Sequence, residues 1–454
     1  MFNQRESSNG PALWYSIACT AVLTFGAILR LRQLDTSLFE DEVWVAELVR
    51  RGGWHAHSYS TPPLFYAVER LWAALRGTAD ARLREPVAFF GVALAAVPLF
   101  ANRDRGTRFL WALLLACSSP LLFYSGRLKQ YTLEAFVVAV LIVLLLRALQ
   151  GNASLTWVSF FAVAMLGATT LYSTIFVIGA AALVVVPRAP RLAFPFALVL
   201  AAFAGAYFGY LAPGPESIVL HGDMTAFFGK LGRWVTSPSL LWSNTLHFAG
   251  QAMNLVRGWW VVAVGVAIFC ILRRDELPAT IVAVAPVAAV AAASARHYYP
   301  YGEVRLMIFA FPALYLLVAL ALSHFAQRTT HAGGALVGAF VLAFAWNGLG
   351  RDTYNATYMR TFELRPLYDF VSSNHRPEEP VFVTSSLAAP LRYYHPDLGP
   401  AIVVWDGHRI ARGGWYLDFA KPAGGDLALN IANAWAVRVS APSGGGSAPR
   451  AAPR

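Results

Sequence analysis

Charge is what this chain has least of. Asp, Glu, Lys and Arg together make up 13% of its 454 residues, against roughly 25% in an ordinary soluble domain. With 57% hydrophobic residues and a mean hydropathy of +0.50, that scarcity excludes a water-soluble fold. Cysteine is scarce as well. The three, Cys19, Cys117 and Cys270, all fall in apolar runs, which excludes a disulfide scaffold and reads as small core residues rather than metal ligands. A basic stripe is also missing: the net charge of +11 is dispersed over loops. This argues against nucleic acid as a partner and suits membrane topology and contact with anionic head groups of membrane lipids. No inverted internal repeat of the kind found in many secondary transporters is visible. No cleavage-site pattern follows the first apolar run, so that run is read as a span and not as a signal peptide.

What the chain has in abundance is apolar segments near bilayer-spanning length. They lie at 12–31, 86–101, 108–123, 132–149, 155–168, 171–186, 192–211, 258–272, 277–293, 304–322 and 333–350. The pair around 155–186 is split because Thr169-Thr170-Leu171-Tyr172-Ser173 interrupts a run longer than one span needs. The expected fold is therefore an α-helical polytopic membrane protein of about eleven spans. If the spans alternate, Arg103, Arg105, Arg108, Arg188, Arg191, Arg273, Arg274 and Arg328 share one face with Arg5. Basic short loops mark the cytoplasmic side, so loops 33–85 and 212–257 and everything after 350 are expected outside. The Ala- and Arg-rich composition suggests a bacterial source, and hence an inner (plasma) membrane with an extracytoplasmic C-terminus.

Three stretches depart from this pattern. In the first outer loop, Val43, Val45, Ala46, Leu48 and Val49 predict one helix, and a second is predicted from Pro62 or Pro63, a favoured first-turn position. Two amphipathic helices here would lie along the interface. After residue 350, Val381-Phe382-Val383-Thr384 and Ile402-Val403-Val404-Trp405 read as strands, with helices near 363–375 and 386–394, which predicts a small α/β unit over 351–439. The tail 440–454 is low in complexity and reads as disordered. The domain reading is thus a membrane body over 1–350, the α/β unit and the tail.

Glu40-Asp41-Glu42 places three consecutive carboxylates at the membrane boundary after the first span. Such acids repel one another and gain nothing from anionic lipid. They suit a site for a cation, a proton or a sugar hydroxyl, or else a helix start whose acids complement the helix dipole. Arg127 and Lys129 open the fourth span, either as flanking charges that snorkel to the interface or as a phosphate clamp. Glu134 falls one turn inside that span, where an ionisable group needs a cavity or a partner. Arg305 enters an otherwise apolar helix beside Glu303, an expected ion-pair partner. Tyr298 and Tyr299 read either as interface anchors or as site residues, and Tyr172 sits in a break that could line a groove. Loop 212–257, with His221, Asp223, Lys230, Arg233, Trp234 and Trp242, suits a sugar or a lipid-linked acceptor.

The order of these elements carries a resemblance. One span precedes Asp41-Glu42 and then Thr61-Pro62-Pro63-Leu64-Phe65-Tyr66. Later come Arg127-Leu128-Lys129-Gln130-Tyr131-Thr132-Leu133-Glu134 and Tyr298-Tyr299-Pro300-Tyr301-Gly302-Glu303-Val304-Arg305-Leu306. This resembles the GT-C class of polytopic membrane glycosyltransferases, specifically the dolichyl-phosphate-mannose protein mannosyltransferase-like (glycosyltransferase family 39) bacterial enzymes. The resemblance implies a polyprenyl-phosphate-linked sugar donor, an inverting transfer to an envelope glycan, lipid or protein acceptor, and an active site on the outer face. It implies Asp41 as catalytic base, Glu42 as its neighbour and Glu134 as the second acid. Arg127, Lys129, Tyr131, Tyr299 and Arg305 would bind the donor phosphate, and Pro62, Pro63 and Tyr172 would line the substrate groove.

Some relatives carry Lys or His before the two prolines where this chain has Thr61, so that side chain's role does not transfer. No cofactor is called for. A divalent metal held by Asp, Glu and His, with His55 and His57 nearby, is left open because no spacing demands it. Two rival classes remain: a lipid-linked glycan transporter or flippase, and a non-catalytic membrane subunit. Transporters concentrate ionisable residues near the bilayer midplane, whereas here they gather at the outer ends of spans.

Overall fold

The computed structural model describes residues 10–51, 61–151, 154–211, 225–254, 259–329, 331–360, 363–405, 414–418, 427–431 and 434–439. Within them the chain divides into two compact units. One comprises Met1–Leu34 and Gly52–Asn355, the other Asp35–Arg51 and Ala356–Arg454. The division falls close to the expected boundary near 350. It also assigns Asp35–Arg51, which follow the first span, to the C-terminal unit.

The larger unit is helical. Its elements include α1 (Gly10–Leu31), α3 (Pro63–Arg76), α4 (Asp80–Ala96), α5 (Arg105–Cys117), α6 (Ser119–Ser125), α7 (Tyr131–Gly151), α8 (Ser154–Thr170), α9 (Thr174–Val185) and α10 (Ala193–Ala206). Helices follow at Pro238–Ala252, Trp259–Leu272, Leu277–Ser294, Val304–Met307 and Phe311–Arg328, and from His331 onward. Every apolar segment expected to span is thus helical. Among the described residues seven are long and apolar enough to cross a membrane, or eight if α5 and α6, bent by 56°, form one broken span. The segments at α8, α9 and Trp259–Leu272 are shorter helices of 17, 12 and 14 residues. Large apolar side chains such as Trp14, Phe89, Phe194 and Trp346 face outward, as a surface that meets lipid requires. The chain is a multi-pass membrane protein.

The break between α5 and α6 is the local feature that shapes the site. Pro120 enters at the start of α6, where a proline ring cannot continue the helix before it. The carbonyls freed there need donors, because no water satisfies backbone inside a bilayer. Arg30, fully buried at the end of α1, donates to Leu115 O at 3.1 Å and to Ala116 O at 3.1 Å. Asn254 donates to Cys117 O at 3.1 Å and to Phe344 O at 2.9 Å, and accepts from Ser119 N at 2.8 Å. Tyr315 OH reaches Ser118 Oγ at 2.9 Å and Ala252 O at 2.6 Å. Gly91 on α4 permits the close approach of these elements: a Cβ there would lie 2.3 Å from Ser125 Oγ and 2.7 Å from Arg30 Nε.

The C-terminal unit is built on a five-stranded sheet of order β2-β1-β3-β5-β4, with β1 (Val381–Val383), β2 (Ile402–Val404), β3 (Gly414–Asp418), β4 (Leu427–Ile431) and β5 (Ala434–Val439). β1 pairs in parallel with β2 and β3, while β5 pairs antiparallel with β3 and β4. The parallel pair β1–β2 needs a crossover, and helix Ser385–Tyr394 supplies it. That helix and Arg365–Asn374 bury Leu367, Tyr368, Val371, Leu387 and Leu391 against Val381, Val383, Trp415 and Leu417. The two strands and two helices expected from sequence are present, and β3, β4 and β5 are additional.

Helix α2 (Glu40–Arg51) belongs to this unit. Arg50 lies over the Tyr393 ring, 3.8 Å from its centroid. Leu38 N donates to Tyr394 OH at 2.7 Å, and Ser37 N to Glu363 Oε2 at 2.7 Å. The tail 440–454 lies outside the described residues.

Candidate functional site

Within the membrane unit, α6 carries Phe123 and Tyr124 to the wall of a pocket of about 300 Å³. Its other walls come from the loop and helix after residue 225 (Arg233, His247 and Gln251), from Glu303 and Val304, and from Arg351. The lining is thus polar and cationic in an otherwise apolar unit. Arg233 is held by Asn244 Oδ1 at 3.1 Å and His247 Nε2 at 3.2 Å. Arg351 donates to Gln251 Oε1 at 2.7 Å. Glu303 lies 3.4 Å from Arg233 Nε and 3.3 Å from Arg305 Nε, so one carboxylate bridges two guanidinium groups. Burial, helped by the Arg233 guanidinium, holds the His247 imidazole below its usual range. Arg233 and Arg351 therefore line the pocket with an imidazole biased to be neutral and with one carboxylate, which also pairs with Arg305.

Two turns place these groups. Gly302 has φ +80°, in the left-handed region, and a Cβ there would meet Asn244 Cβ at 2.8 Å, which only glycine avoids. Tyr301 N donates to Arg233 O at 3.0 Å. The strand of loop carrying Arg233 is thereby tied to the turn that presents Glu303.

Aromatic contacts lead on from the pocket wall. Tyr124 meets Tyr131 edge-on, with ring centroids 5.3 Å apart. Tyr131 opens α7, and one turn on, Glu134 is buried and accepts a short hydrogen bond from Ser173 Oγ. Tyr299 stacks edge-on with Phe176 at 5.4 Å and donates to Leu306 O at 2.7 Å. Burial, the nearby Glu134 carboxylate and Tyr131 hold its phenol well above the ordinary range, so it acts as a neutral hydrogen-bond donor. Arg127 sits 4.9 Å from the Phe123 ring centroid and Lys129 is buried beside it in the chain.

Of the residues expected from sequence, Arg127, Lys129, Tyr131, Glu134, Tyr299 and Arg305 lie in or beside this connected region, and the break at Tyr172-Ser173 meets it through Ser173. The Glu303–Arg305 ion pair is present. Pro62 and Pro63 begin α3 as predicted, and neither is among the residues that line the pocket. Asp41 and Glu42 fold with the C-terminal unit. Glu42 is fully buried, and its Oε2 accepts from Phe39 N at 3.1 Å, the reach-back half of a capping box. Asp41 is half-buried on the same first turn. His55, His57, His221 and Asp223 lie outside the described residues. Among the described residues no group of three or more His, Cys, Asp or Glu could hold a metal ion.

Sequence reasoning missed His247, Gln251 and Arg351 and treated Arg233 as one loop residue among many. Arg351 did leave a signal, as the first charge after the apolar run 333–350. A second overlooked group is Glu69. It follows Phe65 and Tyr66 on the inward stripe of α3, is fully buried, and neither carboxylate oxygen has a hydrogen-bond partner among the described residues. Burial holds its carboxyl well above the usual carboxylate range.

No family model matches the sequence, and no curated protein matches it. Solved structures do share its fold. The structure of ArnT from Cupriavidus metallidurans bound to undecaprenyl phosphate aligns at a TM-score of 0.59, with 13% identity, over 97% of this chain and 100% of that one. The apo form of the same protein aligns at 0.56 with 14% identity, over 90% of this chain and 93% of that one. The fold is that of the GT-C glycosyltransferases. The likeness is to the class and does not single out the family 39 group.

Proposed function

We propose that this GT-C-fold chain is an inverting glycosyltransferase that moves a sugar from a polyprenyl-phosphate-linked donor to a cell-envelope glycan, lipid or protein. The reaction is assigned to the outer face of the inner membrane, the side on which the basic-loop pattern also puts the C-terminal unit. The observation that carries this reading is the cationic pocket lined by Arg233 and Arg351, with Arg305 behind Glu303. Guanidinium groups match phosphate oxygens in geometry and charge. The wall beside them is aromatic, which suits a prenyl chain or a sugar face. A protein of the same fold was crystallised with undecaprenyl phosphate.

In the proposed transfer the acceptor hydroxyl gives its proton to a carboxylate as its oxygen attacks the anomeric carbon. The bond from that carbon to the phosphate oxygen breaks, its electron pair stays with the phosphate, and polyprenyl phosphate leaves with the anomeric centre inverted. Arg233, Arg351 and Arg305, with Arg127 and Lys129 nearby, stabilise the charge that gathers on the leaving phosphate. Asp41 is assigned the role of base on the motif order alone. Glu134, held by Ser173 and close to Tyr299, is assigned to the sugar.

The test is transfer from a radiolabelled polyprenyl-phosphate sugar by the purified protein in proteoliposomes that contain envelope acceptors. Covalent product from the wild type, lost in Asp41→Asn with the melting temperature unchanged, supports the reading. Movement of the donor across the bilayer without product would make the chain a flippase instead.

A further inference from the structure

Glu303 sits oddly in a pocket built for an anion. Two other pairs in the chain are tight and bidentate: Arg103 holds Glu276 through two bonds of 2.7 and 2.8 Å, and Arg365 holds Glu363 through bonds of 2.6 and 3.0 Å. Glu303 instead spreads its two oxygens over two arginines, at 3.4 Å from Arg233 and 3.3 Å from Arg305. Both distances exceed a well-formed N–H···O bond. A carboxylate that straddles two guanidinium groups on a pocket wall engages the kind of group that binds phosphate oxygens. It also keeps two like charges from repelling each other.

We propose that Glu303 is a built-in stand-in for the carrier phosphate, which competes with it for Arg233 and Arg305 and drives release of the spent carrier. The proposal rests on the reading that this pocket takes a polyprenyl phosphate. The donor is a phosphodiester with one negative charge. After transfer, the electron pair of the broken bond stays on the phosphate, leaving a monoester of charge about −1.5 to −2 at neutral pH. Three arginines acting alone would therefore hold the product more tightly than the substrate, and release limits turnover in many enzymes. Repulsion from a fixed carboxylate grows with the ligand's charge. Glu303 thus penalises the product about twice as strongly as the donor. Its short helix, Val304–Met307, and the Gly302 turn hold it at the wall, so it remains beside the ligand.

The experiment compares binding of a short-chain polyprenyl phosphate and of its methyl diester to the full-length protein in nanodiscs. Glu303→Gln is expected to bind the monoester about tenfold more tightly than the wild type, and the diester about threefold more tightly, half the effect in free energy. Glu303→Asp should keep the wild-type ratio. A purely structural role would weaken both ligands on substitution, and that result, or no change in either, overturns the proposal. The wild type alone supplies a check that does not depend on the variant folding. It should bind the monoester no more than a few-fold better than the diester, and a large preference for the monoester would also overturn the proposal. If the wild type binds neither ligand, the assignment of the pocket to a polyprenyl phosphate fails first.

Discussion

Replacing Asn254 by alanine strikes the joint through which the fold positions its pocket. The Asn254 side chain is buried and makes three hydrogen bonds, to Ser119 N, Cys117 O and Phe344 O, at 2.8 to 3.1 Å. Its backbone has φ 54°, which asparagine tolerates better than alanine. Alanine leaves the buried Ser119 N–H without this acceptor, at about 1–3 kcal/mol, and removes two donated bonds at about 0.5–1.5 kcal/mol each. The left-handed backbone adds on the order of 1 kcal/mol.

The total, roughly 3–7 kcal/mol, should lower the melting temperature in detergent by several degrees. Because Ser119 starts the helix that carries Phe123 and Tyr124, polyprenyl phosphate binding should weaken as well. Asn254→Asp separates the terms: it keeps an acceptor for Ser119 N but sets a carboxylate against two carbonyl oxygens, so it should not rescue. Both are read by thermal unfolding followed through tryptophan fluorescence, with binding measured on the same samples. An alanine variant that melts within about a degree of the wild type and binds normally would refute the reasoning.

Two further perturbations follow. Glu69 has a raised carboxyl pKa in the folded state, so the unfolded chain ionises first and stability falls as pH climbs above the ordinary glutamate value of about 4.5. Glu69→Leu should therefore raise the melting temperature at pH 7 to 8, by less at pH 5; a lower melting temperature at pH 8 would contradict the burial argument. Arg351→Ala should weaken polyprenyl phosphate binding by about 10- to 100-fold and reduce its salt sensitivity, since a charge-assisted bond contributes about 1.5–3 kcal/mol. Unchanged affinity in a titration at two salt concentrations would remove Arg351 from the site.

Much of the fold was legible in local pattern. Apolar run length gave the helices, Pro62-Pro63 marked the start of α3, and the β-branched runs at 381–384 and 402–405 located β1 and β2. β3, β4 and β5 were missed because Gly414, Ala428, Ala434 and Ala436 dilute the β-branched signal. The packing of Asp35–Arg51 with residues beyond 356 was not legible, because bonds such as Ser37 to Glu363 join positions 326 apart. The site divided in the same way. Motif order pointed to Tyr131, Glu134, Tyr299 and Arg305, which the fold brings together. His247 and Gln251 look like ordinary helix residues until Pro238–Ala252 turns them toward Arg233 and Arg351. The bond from Phe39 N by which Glu42 caps α2 was not foreseen.

The most direct measurement is a cryo-EM structure of the protein in nanodiscs with a short-chain polyprenyl phosphate. The account predicts phosphate density against the Arg233 and Arg351 guanidinium groups, with the first isoprene unit along Phe123 and Tyr124. A well-ordered phosphate bound away from Arg233, Arg351 and Arg305 would contradict it.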